Sequence, residues 1–170
     1  MRLQDTIREV PDFPKKGILF YDITTLAKNP QAFHQAIDQL AEHYRDHQVD
    51  VVVSVEARGF IFGAALAYKL GAGFVPVRKP GKLPAEKVRV EYALEYGTDA
   101  MEIHKDAIAP GQRVLVFDDV LATGGTIAAA IDLVKRLGGA VIGTAFLIDL
   151  TFLNGKQKIG NYEVFSLIQY

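Results

Sequence analysis

The residues best suited to chemistry lie in the run VLVFDDVLATGGT, from Val114 to Thr126. Two adjacent carboxylates, Asp118 and Asp119, are followed after a short apolar step by Ala122-Thr123-Gly124-Gly125-Thr126. Glycines let a backbone approach a ligand closely. The unpaired N–H groups at a helix start, with the hydroxyls of Thr123 and Thr126, make a nest for phosphate. An acid pair beside that nest repels phosphate and so suits ribose hydroxyls, which donate to carboxylates, or a magnesium ion. A phosphorylated ribose satisfies both halves. No lysine follows the glycines as in a P-loop, and there is no G-x-G-x-x-G.

Other stretches carry chemistry of the same kind. Glu56-Ala57-Arg58-Gly59 is a polar glycine turn in which Arg58 has two readings, a cation for a pyrophosphate group or the surface partner of Glu56. Arg78-Lys79-Pro80-Gly81-Lys82-Leu83-Pro84 concentrates three cations between prolines and a glycine. Phe13 to Thr24 is apolar, irregular and aromatic; it reads as a lid on the core or as a platform on which Phe20 stacks a flat base. Glu95 is an acid or base candidate, or an ordinary solvated strand carboxylate. His43 and His47 are spaced i,i+4 but lack the intervening acid of H-E-x-x-H. They read as a solvated helix face, and His34 and His104 stand alone.

These groups must be positioned by the elements around them. Val114 to Phe117 is apolar without alternation, as in a strand buried on both faces of a parallel sheet, and Ile127 to Leu137 follows helical spacing. Val51 to Val55, the Glu56 turn and a helix to Gly71 repeat the same plan. Right-handed crossovers then bring the Arg58 turn beside the Asp118 to Thr126 segment, at the carboxyl edge of the sheet. Phe74 to Val77, Ala140 to Ile148 and Val164 to Ile168 supply further strands. Asn29-Pro30 caps an amphipathic helix through Tyr44, and Leu3, Ile7 and Val10 predict a short helix ending at Pro11. Val88 to Glu95 alternates and Met101 to His104 could return antiparallel, giving a ribbon that projects over the site and keeps water out. Asn154-Gly155 signals a tight turn. The expected fold is α/β: a central, mainly parallel twisted sheet flanked by helices, with a flexible antiparallel flap. One domain spans residues 1–170, with an N-terminal covering segment over 1–30 and a flexible loop and flap over 78–104.

Composition excludes several classes. The 170 residues suit one core, and a net charge of −1 with mixed signs argues against a nucleic-acid surface. The absence of cysteine removes disulfides, thiolate nucleophiles and cysteine zinc sites. The segment MRLQDTIREV lacks the apolar stretch of a signal peptide, and Ala140 to Ile148 falls well short of the ~18 residues of a membrane helix. A cytoplasmic protein is expected.

VLVFDDVLATGGT resembles the phosphoribosyl pyrophosphate signature of the type I phosphoribosyltransferases. FPKKGILFYDIT, EARGF, RKPGKLP, EYALEYG, LTFLNG and FSLIQY extend the resemblance over nearly the whole chain and point to the adenine-specific branch of that family. The resemblance implies transfer of phosphoribose from phosphoribosyl pyrophosphate to adenine, giving AMP and pyrophosphate. Magnesium is implied as cofactor, carried mainly by the substrate and water. It further implies that Ala122, Thr123, Gly124, Gly125 and Thr126 hold the 5-phosphate and that Asp118 and Asp119 hold the ribose hydroxyls. Glu56, Ala57, Arg58, Arg78 and Lys79 would serve pyrophosphate, with Arg78 reaching across a homodimer interface. Phe20 would stack on adenine, Leu150 would line the other side of the pocket, and the backbone of Leu19 and Tyr21 would read the base edge. Arg58 and Glu95 would be catalytic, Glu95 through a proton on the imidazole part of the purine. Two competitors are a binding-only regulator, which would need a nucleic-acid surface, and an enzyme for 6-oxo purines, which would need a donor for O6 where this chain has Asp149-Leu150-Thr151.

Overall fold

Five apolar segments lie side by side in parallel to make the sheet that carries everything else, in a computed structural model that describes residues 1–94 and 96–170. In chain order the elements are β1 (Arg8–Pro11), β2 (Leu19–Asp22), α1 (Thr24–Ala27), α2 (Pro30–Tyr44), β3 (Val51–Val55), α3 (Arg58–Leu70) and β4 (Gly73–Val77). They continue as β5 (Lys87–Ala93), β6 (Thr98–His104), β7 (Arg113–Leu121), α4 (Gly125–Arg136), β8 (Ala140–Asp149), α5 (Lys156–Ile159) and β9 (Val164–Gln169). The sheet order is β4-β3-β7-β8-β9. It reverses between β3 and β7, so a crevice opens beyond the carboxyl ends of those two strands.

The apolar run of β7 has no alternation because both of its faces are covered. Leu115 and Phe117 pack with Phe62 and Leu66 of α3 and with Leu40 and Tyr44 of α2. Val114 and Val116 pack on the opposite face with Ile127, Ile131 and Val134 of α4 and with Met101 and Ile103 of β6. Asn29 caps α2 through its side chain, which accepts from the N–H groups of Gln31 and Ala32, with Pro30 at the first helical position.

Several expectations change. The predicted helix over Leu3 to Val10 is a 3-10 turn (Leu3–Thr6) followed by β1, which pairs antiparallel with β2. Of its three apolar residues only Leu3 is buried, so strand pairing overrides the helical spacing. That pairing also gives the Phe13 to Thr24 stretch a regular strand, and the Asp22 carboxylate ties it down by accepting from Thr24 N, 2.9 Å, and from Arg8 Nε, 3.0 Å. The ribbon of β5 and β6 exists in antiparallel register from Lys87↔His104 to Ala93↔Thr98. Its base is docked, with Val90, Met101 and Ile103 buried in the α4 side of the core. Finally, His43 is half-buried: Nε2 lies 2.7 Å from Glu163 Oε1 and the ring stacks on Phe165 at 3.7 Å.

Candidate active site

The crevice beyond β3 and β7 is a cleft of about 440 Å³. It is lined by Leu19, Phe20 and Tyr21, by Glu56, Arg58 and Lys79, by Asp118 and Asp119, by Ala122 to Thr126, and by Leu150. Ala57 and Arg78 lie outside this lining. Glu95 falls outside the described residues.

The glycine turn is built by β7 running into α4. The strand continues through both acids to Leu121, further than the apolar run alone indicates. Gly124 then takes φ +86°, and no side chain caps the start of α4. The helix therefore presents uncapped N–H groups and the positive end of its dipole to the cleft. Gly124 lies so close to the Gly155 carbonyl that a Cβ would collide with it. The Asn154-Gly155 turn thus backs the glycine turn, a contact between segments about thirty residues apart that the sequence gives no means of finding. A second contribution not anticipated is Lys158, whose ammonium would lie 3.9 Å from a Cβ at Gly125.

The acids are not equivalent. Asp119 is buried, with its Oδ2 2.9 Å from Arg58 Nε. The guanidinium is off the hydrogen-bond axis, so this oxygen is compensated by charge but has no hydrogen-bond partner. Asp118 Oδ1 accepts from the Asp119 N–H at 2.8 Å. Burial raises the Asp118 carboxyl well above its usual range, and the charge of Asp119 adds to the rise. The floor of the cleft therefore strongly favours groups that donate hydrogen bonds.

Arg58 is not the surface partner of Glu56. It joins Asp119, not Glu56, and its guanidinium also lies 4.9 Å from the centre of the Phe20 ring. Phe20 in turn meets Phe13 edge-on at 5.1 Å. Phe20 thus has a supported ring face in the cleft, whereas Tyr21 is buried and stacked on Tyr170 at 4.1 Å. Glu56 organises the basic loop: its Oε1 accepts from Lys79 N at 2.6 Å and from Arg78 Nε at 3.3 Å. Arg78 also lies 5.9 Å from the Phe60 ring centre.

Lys79 is paired with Asp99 of β6. Tyr92 donates to Asp99 Oδ2 at 3.3 Å, and its hydroxyl lies 3.4 Å from Thr126 Oγ1. Where a 6-oxo base would need a donor, Asp149 is buried beside Lys156, with 3.2 Å between Oδ2 and Nζ. Neither lines the cleft. Among the described residues no set of three or more acids and histidines is placed to hold a metal, and no helix is long and apolar enough to cross a membrane.

The phosphoribosyl transferase domain model matches residues 22–169. An adenine phosphoribosyltransferase from Solibacter usitatus is 65% identical over 168 residues, covering 99% of this chain and 97% of its own. Among solved structures, the adenine phosphoribosyltransferase of Thermoanaerobacter pseudethanolicus superposes with a TM-score of 0.96 at 56% identity, over 99% of this chain and 98% of its own. That of Saccharomyces cerevisiae, complexed with adenine and D-2,5-dideoxy-2,5-imino-altritol 1,6-bisphosphate, gives 0.91 at 44% identity, over 97% and 96%.

Proposed function

The chain belongs to the adenine phosphoribosyltransferase family, and we propose that it transfers the 5-phosphoribosyl group of phosphoribosyl pyrophosphate to adenine, releasing AMP and pyrophosphate. The observation that carries this reading is the convergence in one cleft of an uncapped glycine helix start, an acid pair with Asp119 buried and Asp118 half-buried, a cationic rim and a supported aromatic face. Each matches one part of the two substrates.

The 5-phosphate binds at Ala122, Thr123, Gly124, Gly125 and Thr126. The ribose hydroxyls donate to Asp118 and Asp119. As the bond to pyrophosphate lengthens, the ribose gains oxocarbenium character, which the adjacent carboxylates stabilise. Arg58 and Lys79 take the leaving pyrophosphate, while Glu56 and the Ala57 turn orient the cationic loops. Adenine stacks on Phe20 against Leu150. Among the described residues β2 has a strand partner along one edge only, and the backbone of Leu19 and Tyr21 reads the polar edge of the base from the other. Glu95 moves the imidazole proton.

The donor set fits magnesium as a companion of the substrate. Asp119 already faces Arg58, Glu56 accepts from the basic loop, and among the described residues no set of three or more acids and histidines is placed to hold a metal, so the ion would keep phosphate oxygens and water as ligands. Its chemistry is to offset the charge of the departing pyrophosphate. Residues 1–170 act as one catalytic domain, and a homodimer lets Arg78 reach the partner's cleft. Phosphorylated substrate and product cross membranes poorly, which suits a cytoplasmic enzyme.

Calorimetric titration tests the arrangement. Phosphoribosyl pyrophosphate with magnesium should bind the parent protein and lose at least about tenfold in affinity with Asp118→Asn/Asp119→Asn, since each removes a charged hydrogen-bond acceptor. Equal affinity would remove the acid pair from the ribose site.

A further inference from the structure

We propose that Asp99 is a positioning residue that holds Lys79 and competes with pyrophosphate for it. This inference rests on the reading of Lys79 as a pyrophosphate cation. Lys79 lines the cleft while Asp99 does not, yet the ammonium sits on the Asp99 carboxylate. Asp99 is on β6, directly opposite Tyr92 of β5, and the Tyr92 hydroxyl donates to the same carboxylate oxygen. Because that hydroxyl also lies beside Thr126, the chain Lys79, Asp99, Tyr92, Thr126 joins the basic loop to the phosphate turn through the ribbon.

The pair is suited to exchange rather than to permanence. The Lys79 and Asp99 side chains are 42% and 28% exposed, and ion pairs at such rims are weak. A pyrophosphate group carries several charges against the single one of Asp99, so it draws the ammonium into the cleft. Once product forms, Asp99 offers Lys79 a second partner and loosens pyrophosphate. Charge states agree with this. Burial works against the Lys79 charge, but the hydrogen bond to Asp99 helps to raise its pKa above the usual value, and the same bond lowers that of Asp99.

The test measures binding of inorganic pyrophosphate with magnesium to the full chain by calorimetry, alongside kcat and KM for phosphoribosyl pyrophosphate. Asp99→Asn removes the competitor, so it should bind pyrophosphate about three- to fivefold tighter than the parent, with kcat and KM falling together. Asp99→Glu keeps the charge and should stay within about twofold of the parent. In a Lys79→Gln background, Asp99→Asn should change nothing. Unchanged or weaker binding by Asp99→Asn overturns the inference, as does a gain that survives in Lys79→Gln. A parent protein that binds no pyrophosphate contradicts the proposed function itself, which separates the two failures.

Discussion

Gly124 and Gly155 meet backbone against backbone. A Cβ on Gly124 would strike the Gly155 carbonyl, and one on Gly155 would strike the Ala122 carbonyl and stand 2.9 Å from Leu121 Cδ1. The turn that follows Leu150 is therefore packed directly onto the turn proposed to hold phosphate. The proposed base and phosphate sides of the cleft thus share one support. Gly155→Ala should displace Ala122 and raise KM for phosphoribosyl pyrophosphate about tenfold, with a stability loss of about 1–3 kcal/mol. Steady-state kinetics and denaturant unfolding check both, and unchanged KM would uncouple the two turns.

Asp118 gives a pH-dependent expectation. Its folded-state pKa is raised, first by burial and then by Asp119, above the ordinary 3.8. The folded protein thus keeps the Asp118 proton to higher pH than the unfolded chain does, and stability falls as pH rises from about 4 through the raised value. Asp118→Asn carries no such charge. Its unfolding midpoint should exceed the parent's at neutral pH, and the difference should shrink toward pH 4, while turnover falls. A difference that is constant with pH would mean that Asp118 ionises freely.

Much of this organisation was legible from sequence. The apolar runs Val51 to Val55, Val114 to Phe117 and Ala140 to Ile148 each became a buried parallel strand, because a strand covered on both faces leaves an uninterrupted apolar signature. Acid pair, glycines and threonines are contiguous, so their order along the chain is their order in space. Relations between distant segments were not legible. Arg58 could not be assigned to Asp119 rather than Glu56, since that choice depends on side-chain reach across two strand ends. Leu3, Ile7 and Val10 mimic a helix face, yet pairing with β2 decides the conformation. Asp99 had no signal, because its role appears only when the ribbon folds back beside Lys79.

Phe20, proposed to stack the base, offers a way to separate base binding from sugar binding. Its ring meets Phe13 in a T-shaped contact and has the Arg58 guanidinium over it. Phe20→Ala should raise KM for adenine about tenfold, within the ~1–3 kcal/mol of a base stacked on an aromatic ring, and leave that for phosphoribosyl pyrophosphate within about twofold. Equal effects on both substrates would assign Phe20 to packing alone.

Glu95 is proposed to move a proton, a role expressed in the transition state. Glu95→Gln should lower kcat by about 10²-fold or more and leave the affinity for AMP within about threefold. Parent-like turnover would exclude proton transfer by Glu95.

The central claim is tested most directly by following nucleotide formation from phosphoribosyl pyrophosphate and magnesium with adenine, hypoxanthine, guanine and xanthine supplied separately. AMP with stoichiometric pyrophosphate, from adenine alone, is the predicted result. Product from an oxo-purine in place of adenine would overturn the reading of the base by Leu19, Tyr21 and Leu150, and no product from any base would contradict the proposed reaction.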